Sequence, residues 1–367
     1  MEVLFNDFKK TLADINPEIG EAIKRVLDSG WYILGKEVET FENKYAEFNG
    51  TKYCIGVGNG LEALHIALKS LGVGKGDEVI LPSNTYIATV MAVSYLDATP
   101  VFVEPRIETY NINPDLIQEK ITTKTKVILP VHLYGQASEM QAICKLADQN
   151  GLFVVEDNAQ SHGAASGGKL TGSFGKINAT SFYPTKNLGA IGDGGALTTD
   201  SWEIAEFAKT IRNYGSIKKY YNEMVGLNSR LDEIQAAILL VKLEKLNGWN
   251  KRRGEIAQRY HDGLGSIKEI ILPKLALDTT SVWHLFVVRT DKRDELIAYL
   301  KDSGISTSIH YPVPPHLQKA YTHLKLKEGD FPIAEKLAKT MLSLPIYPEI
   351  TNDQVDYVVE KITEFYE

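Results

Sequence analysis

Short β-rich apolar runs alternate with stretches of helical period between about residues 50 and 200. The runs Tyr53–Val57, Glu78–Leu81, Pro100–Val103, Val127–Val131, Leu152–Val155, Ala179–Tyr183 and Ala196–Thr199 read as strands. Between them, residues 60–72 set Leu61, Leu64, Leu68 and Leu71 on one helical face, and 86–96, 113–120 and 138–148 carry similar patterns. Such alternation is the mark of βαβ units. It predicts an α/β fold with a mostly parallel sheet buried by helices, whose ligands gather at the carboxyl ends of the strands.

The texture changes after residue 230. Asp232 to Tyr260 reads as helical, with Ile234, Ile238, Val241 and Leu246 set among charges, and Gly248 and Gly254 argue against one straight rod. Beyond Gly265, strands at Ile267–Leu272, Val282–Arg289 and Ile305–Tyr311 mix with helices at 291–302, 332–343 and 351–366. The chain thus divides into residues 1–245, an N-terminal arm with a large domain, and residues 246–367, a small C-terminal α+β domain. No solenoid repeat or low-complexity tract interrupts it.

Composition removes several classes of function. The chain has 367 residues, 24% charged and 44% hydrophobic, enough for a full enzyme core. A formal charge of −7 argues against a protein that neutralises nucleic-acid backbones. Cys54 and Cys144 are the two cysteines, too few for a disulfide scaffold and wrongly spaced for a zinc cage, so no metal is expected. The charged start, Met1 to Lys10, lacks the layout of a secretory signal, and the apolar run Ala236–Val241 is far shorter than the ~20 residues that cross a bilayer. A cytoplasmic protein without membrane or nucleic-acid partners is expected.

Three segments carry candidate chemistry. Gly56 to Leu64 joins a strand to an amphipathic helix, where free backbone N–H groups and the helix dipole favour a bound phosphate. It is not a dinucleotide fingerprint, because the third glycine would fall at Leu61. Glu156-Asp157 ends the apolar run Leu152–Val155, carrying a carboxylate to the sheet's edge, where burial demands a cationic partner. Lys186 ends another strand ahead of Gly189, Gly192, Gly194 and Gly195, in a place where an amine can be desolvated. By contrast, Gly163–Lys169 fits P-loop spacing but has Leu170 where Ser or Thr would meet magnesium. Cradle, aspartate and lysine form a consistent set for pyridoxal 5'-phosphate (PLP), which needs an amine for its aldehyde, an anion for its ring nitrogen and donors for its phosphate.

The chain resembles the DegT/DnrJ/StrS family of nucleotide-sugar aminotransferases along nearly its whole length. The matching text is Gly30–Gly35, Gly58-Asn59-Gly60, Pro82–Thr89, Glu156–Gly163, Ser181–Lys186, Leu227–Arg230 and Ile309–Pro312. The resemblance implies the fold-type I, aspartate aminotransferase-like architecture. It also implies that Lys186 carries the cofactor covalently and later moves the proton between cofactor and substrate carbons. Asp157 would pair with the ring nitrogen, Gln160 would meet the ring hydroxyl, and Tyr86 would stack on the ring. The phosphate would lie on the Gly60 and Leu61 backbone and Ser181, with Asn228 reaching in from the second subunit of a homodimer. Many members have Thr where this chain has Leu61. The dehydratase branch replaces the lysine by histidine, so retention of Lys186 implies transamination.

The run Ile309 to Gln318 is similar to the FdtB- and QdtB-type branch, which acts on the C3 ketone of a dTDP-3-keto-6-deoxyhexose. His310 and Tyr311 would flank the hexose with Tyr183, and Lys219 and Tyr220 would offer charge and aromatic surface to the nucleotide. The resemblance thus implies transfer of nitrogen from L-glutamate, by way of pyridoxamine phosphate, to give a dTDP-3-amino-3,6-dideoxyhexose for a surface polysaccharide such as O-antigen or for a glycosylated metabolite. A C4 aminotransferase and a non-catalytic regulatory protein on the same scaffold are the alternatives. His162, His284 and His316 read as packing residues.

Overall fold

The computed structural model describes residues 1–367. All seven predicted strands of the first half form and join one sheet: β1 (Tyr53–Val57), β2 (Glu78–Pro82), β3 (Thr99–Val103), β4 (Thr125–Ile128), β5 (Phe153–Asp157), β6 (Ile177–Ser181) and β7 (Gly195–Thr199). Their order is β1-β7-β6-β5-β4-β2-β3. β7 runs antiparallel to both neighbours, and the other adjacent pairs are parallel. Five strands show the near-continuous burial of a sheet covered on both faces, from Ile55 and Val57 in β1 to Ala196 and Leu197 in β7. The covering helices are α4 (Gly60–Ser70), α5 (Ile87–Ser94), α6 (Met140–Asn150) and α7 (Trp202–Arg212).

Three helices precede the sheet: α1 (Phe8–Ala13), α2 (Asn16–Ser29) and α3 (Lys36–Asn49). α3 starts where Glu233 accepts the backbone N–H groups of Gly35, Glu37 and Val38 at 2.7, 2.9 and 3.1 Å. That carboxylate takes up donors which a helix start leaves without partners. Glu233 is itself the first residue of α8 (Glu233–Leu264), one unbroken helix of 32 residues. The expectation that Gly248 and Gly254 interrupt it is corrected. Each glycine costs about 1 kcal/mol relative to alanine, and α8 offsets this by packing on α2, α3 and α11 (Asn352–Tyr366). Its first half buries Ala236, Leu239 and Leu246 against Phe41 and Phe182; its second buries Ile256, Ala257 and Tyr260 against Phe286 and Val358.

The C-terminal segment differs from the sequence expectation at several points. A two-stranded antiparallel pair forms from β10 (Phe286–Arg289) and β11 (Met341–Leu344), with a hairpin, β8 (Ser216–Lys218) and β9 (Tyr221–Asn222), earlier in the chain. The helix expected over 332–343 is α10 (Pro332–Thr340) and stops there, because Met341–Leu344 is wholly buried and hydrogen-bonded to β10. The strands expected at 267–272 and 305–311 reduce to single bridges, Ile271 with Arg289, Val3 with Ile305, and Ser308 with Ser343. Residues 113–120 make two 3₁₀ turns rather than a helix. α9 (Arg293–Asp302) and α11 match their predicted positions. Val3 packs with this segment's core, so the amino terminus is anchored on the C-terminal side of the molecule.

Candidate active site

The parallel strands deliver their carboxyl ends to one edge of the sheet, and the candidate residues gather there. β1 runs into Gly58-Asn59-Gly60 and so into α4, whose start is capped by the Asn59 side chain accepting the Glu62 N–H at 2.9 Å. A Cβ placed on Gly60 would lie 2.6 Å from Ser181 Cβ, so only glycine lets the α4 terminus approach the end of β6 this closely. That apposition, the amino terminus of α4 facing the hydroxyl-bearing end of β6, is suited to a phosphate. Gly58 N–H is already taken by Ser229 Oγ at 3.0 Å, which in turn donates to Glu62.

Asp157 closes β5 and Glu156 precedes it, and the two carboxylates are used differently. Glu156 is fully buried and accepts the N–H groups of Gly172, Phe174 and Gly175 at 2.8, 2.6 and 3.0 Å, with His132 Nε2 at 2.8 Å. His132 Nδ1 accepts the Ser138 N–H at 3.0 Å, so the ring proton sits on Nε2 and points at Glu156. This carboxylate is saturated by the fold. Asp157 is 6% exposed and accepts only Thr89 Oγ1 at 2.8 Å and Ala159 N–H at 3.2 Å. Burial pushes its pKa up, opposed by those two hydrogen bonds and by the charge of Lys186. Such a carboxylate has acceptor capacity left for a cationic ligand.

Lys186 follows β6 on a loop held by Lys186 N–H to Tyr183 O at 2.8 Å and Ala190 N–H to Phe182 O at 2.8 Å. Gly189 abuts the carbonyls of Pro184 and Tyr183 in that loop, and buried Lys242 Nζ donates to Gly189 O at 2.6 Å. Part of Lys186 remains reachable from solvent, yet the packed surroundings desolvate the amine and lower its pKa to about 8, with Asp157 acting to raise it. Three imidazoles around this amine are kept neutral, chiefly by burial: His162 is lowered to about 3, His310 to about 4, and His284 well below its usual value. The Lys186 charge acts in the same direction on all three.

Gln160 is fixed on both sides of its amide. Its Oε1 accepts the Tyr134 N–H at 2.6 Å, and its Nε2 donates to Tyr311 Oη at 3.2 Å. Tyr134 Oη donates to the His310 carbonyl, which ties the 309–311 segment to the sheet edge. Tyr86, the residue before α5, brings its ring to 5.0 Å from Tyr311. Tyr183 stands 52% exposed beside Ser181. Lys186, Asp157, Gln160, Ser181, Gly60, Leu61, Tyr86, Tyr183, His310 and Tyr311 therefore belong to one neighbourhood. Lys219 and Tyr220 do not join it within one chain: they sit in the β8–β9 hairpin, Tyr220 85% exposed with the Lys219 ammonium 5.2 Å from its ring centre. Asn228 is exposed next to Ser229, its backbone paired with Asn213.

Sequence reasoning does not find Thr89, Thr85, His132 and Tyr134, which hold Asp157, Glu156 and Gln160 in place. Thr85 and Thr89 lie inside the Pro82–Thr89 motif, so a signal is present there without a role attached. A concavity of about 1220 Å³ lies between α2, α3 and α8 beside Arg25, Glu37 and Glu244, and Lys186 is not among its walls.

The residues present fit PLP. A desolvated amine, a buried carboxylate with open lone pairs, an amide fixed by two partners and a glycine-lined helix start correspond to its aldehyde, ring nitrogen, ring hydroxyl and phosphate.

Comparison with known proteins agrees with this geometry. The DegT/DnrJ/EryC1/StrS aminotransferase family matches residues 13–363. The chain is 51% identical over 363 residues to the dTDP-3-amino-3,6-dideoxy-alpha-D-galactopyranose transaminase of Aneurinibacillus thermoaerophilus, covering 98% of this chain and 99% of that protein. It is 48% identical over 365 residues to the dTDP-3-amino-3,4,6-trideoxy-alpha-D-glucose transaminase of Streptomyces venezuelae, covering 100% and 96%. The crystal structure of Streptomyces venezuelae DesV in complex with a ketimine intermediate superimposes with a TM-score of 0.98 at 48% identity, covering 100% of this chain and 99% of that one.

Proposed function

The chain belongs to the DegT/DnrJ/EryC1/StrS aminotransferase family and is a PLP-dependent aminotransferase, and on that premise we propose that it moves nitrogen from L-glutamate to the C3 ketone of a dTDP-3-keto-6-deoxyhexose. The product is a dTDP-3-amino-3,6-dideoxyhexose, a precursor for surface polysaccharides such as O-antigen or for glycosylated metabolites. The observation that carries the chemistry is the pairing of the desolvated Lys186 amine with the buried Asp157 carboxylate at the carboxyl edge of the sheet. What supports the carbon is that both named relatives at 48% and 51% identity are transaminases of 3-amino sugars.

When bound, PLP supplies an aldehyde that condenses with amines and a ring that accepts the electron pair released at the neighbouring carbon. Asp157 would hold a proton on the ring nitrogen by its charge. Gln160 would meet the ring hydroxyl with the amide hydrogen left over from its bond to Tyr311. The α4 start and Ser181 fix the phosphate end, and Tyr86 covers one face. With PLP bound, Lys186 would be the base that takes a proton from one substrate carbon and returns it to the next. A pKa of about 8 leaves enough neutral amine near physiological pH for that task. Tyr183, His310 and Tyr311 line the approach of the hexose.

The same reading makes the enzyme a cytoplasmic homodimer with shared sites. No helix is long and apolar enough to cross a membrane. Trp31, Tyr32, Tyr214 and Tyr220 are 63%, 51%, 50% and 85% exposed, aromatic surface that a second copy would cover, placing Asn228, Lys219 and Tyr220 over the neighbouring pocket. Incubation with ¹⁵N-glutamate and dTDP-3-keto-6-deoxyglucose or its galacto epimer tests the proposal. The expected product carries the label on C3 of the sugar; label on C4, or no transfer to either ketone by the PLP-loaded protein, would contradict it.

A further inference from the structure

Asp157 has one protein donor on each oxygen, and one of them leads back through a second buried hydroxyl. Thr89 Oγ1 lies 2.8 Å from Asp157 Oδ2, and Thr85 Oγ1 lies 2.8 Å from Thr89 Oγ1. Both threonines are 1% exposed, and they flank the Tyr86 position at which α5 begins. On the other oxygen, Ala159 N–H donates at 3.2 Å. No salt bridge involves Asp157, whereas its neighbour Glu156 is saturated by three backbone N–H groups and His132.

Proton counting fixes the direction of this chain. An ionised carboxylate only accepts, so Thr89 must spend its single hydroxyl proton on Asp157. Its remaining capacity is to accept, which makes Thr85 the donor between the two hydroxyls. The three groups then point one way, Thr85 to Thr89 to Asp157, an order matched to a charged carboxylate. We propose that Thr89 is a positioning residue that locks the Asp157 carboxylate in its ring-facing orientation and favours its ionised form, and that Thr85 orients Thr89. The relay rests on the reading that Asp157 meets the pyridine nitrogen of PLP. It leaves one lone pair on each oxygen free for that contact. The donors anchoring the carboxylate come from α5 and from the turn after β5, two elements separated in the chain, so rotation about its side-chain bonds is blocked from both sides. Burial favours the neutral acid, and the Thr89 bond is foremost among the contacts that oppose it.

The test uses the full chain stripped of cofactor and titrated with PLP, followed by visible absorbance and circular dichroism of the bound cofactor, alongside thermal unfolding of the cofactor-free protein. A hydrogen bond to a charged group is worth enough that Thr89→Val is expected to weaken PLP retention by roughly tenfold or more. The same variant should lower kcat with little change in KM for the sugar, and unfolding of the cofactor-free protein shows that it still folds cooperatively. Thr89→Ser, which keeps the hydroxyl, should restore retention and the dichroic signal to within about threefold of wild type, a margin well below the worth of one charged hydrogen bond. Thr85→Val should shift both in the same direction as Thr89→Val by a smaller factor, and it carries the test if Thr89→Val does not fold. Unchanged retention and dichroism in Thr89→Val, or in Thr85→Val where that variant carries the test, overturns the proposal, as does a Thr89→Ser variant no better than Thr89→Val. Failure of the wild-type chain itself to take up PLP overturns the reading beneath it as well, and the wild-type titration separates the two outcomes.

Discussion

Lys186→Ala is expected to lower kcat/KM for the amino transfer by about 10²–10⁴-fold, the range lost when a positioned proton-transferring group is removed. In the proposed mechanism the amine performs two tasks with one atom: it holds the cofactor covalently between turnovers, and it moves the proton between two carbons within each. Its environment is built for both. Desolvation lowers its pKa to about 8, so below that pH the protonated form predominates and above it the neutral base does. The acidic limb of the wild-type rate profile should therefore rise toward pH 8, and the variant should lose that limb. Asp157 loses the nearby cation in this variant but keeps its Thr89 and Ala159 donors, so the variant should fold and still bind PLP without a covalent link. Stopped-flow and steady-state assays read the loss. Retention of more than a tenth of wild-type activity would contradict the assignment.

Asp157→Asn is expected to cost about 10²–10³-fold in kcat, comparable to loss of one preorganised electrostatic partner in other active sites. Asparagine preserves the shape and can still accept from Thr89, but it carries no charge to hold a proton on a ring nitrogen. The effect should fall on kcat and on cofactor retention rather than on folding, because burying the Asp157 charge already works against the fold. Glu156 makes the contrast: its four donors come from the protein itself, so its charge serves the loop at Gly172–Gly175 and not a ligand. Equilibrium titration with PLP, unfolding curves and kcat measured together separate the two roles. An Asp157→Asn variant with wild-type kcat would remove the electrostatic half of the mechanism.

The large sheet is legible in the sequence because its strands are buried on both faces and therefore read as continuous apolar runs between glycines and polar turns. Tyr53–Val57 and Ala196–Thr199 differ from the observed strands by at most a residue. Helices α1 to α3 are not read from the sequence, and α2 and α3 gain their packing from α8, some two hundred residues later in the chain. The α8 glycines mislead because propensity weighs a residue alone, while Gly248 and Gly254 have nothing within 4 Å of a Cβ position and are carried by the packing on either side. Likewise Met341–Leu344 continues a helical pattern in sequence, but pairing with Phe286–Arg289 takes it out of the helix.

In the site, the residues proposed to touch PLP announce themselves by type and place: a strand-end lysine, a strand-end aspartate, a glycine at a helix start. The residues that hold them do not. Thr89 and His132 have no chemistry visible in sequence, because their roles exist only once the chain brings α5 and the turn after β4 against β5. Lys219 and Tyr220 lie on a hairpin that projects into solvent, so their role in the proposed dimer leaves no contact within one chain.

A covalent bond between PLP and the amine of Lys186 is the centre of this mechanism. Reduction of the PLP-loaded protein with borohydride, followed by proteolysis and fragment mass spectrometry, makes that bond permanent and locates it. One pyridoxyl group per chain is expected, on the peptide that contains Lys186, with the visible absorption band lost on reduction. A pyridoxyl group on Lys242 or on a surface lysine, or none on any peptide, would contradict the mechanism.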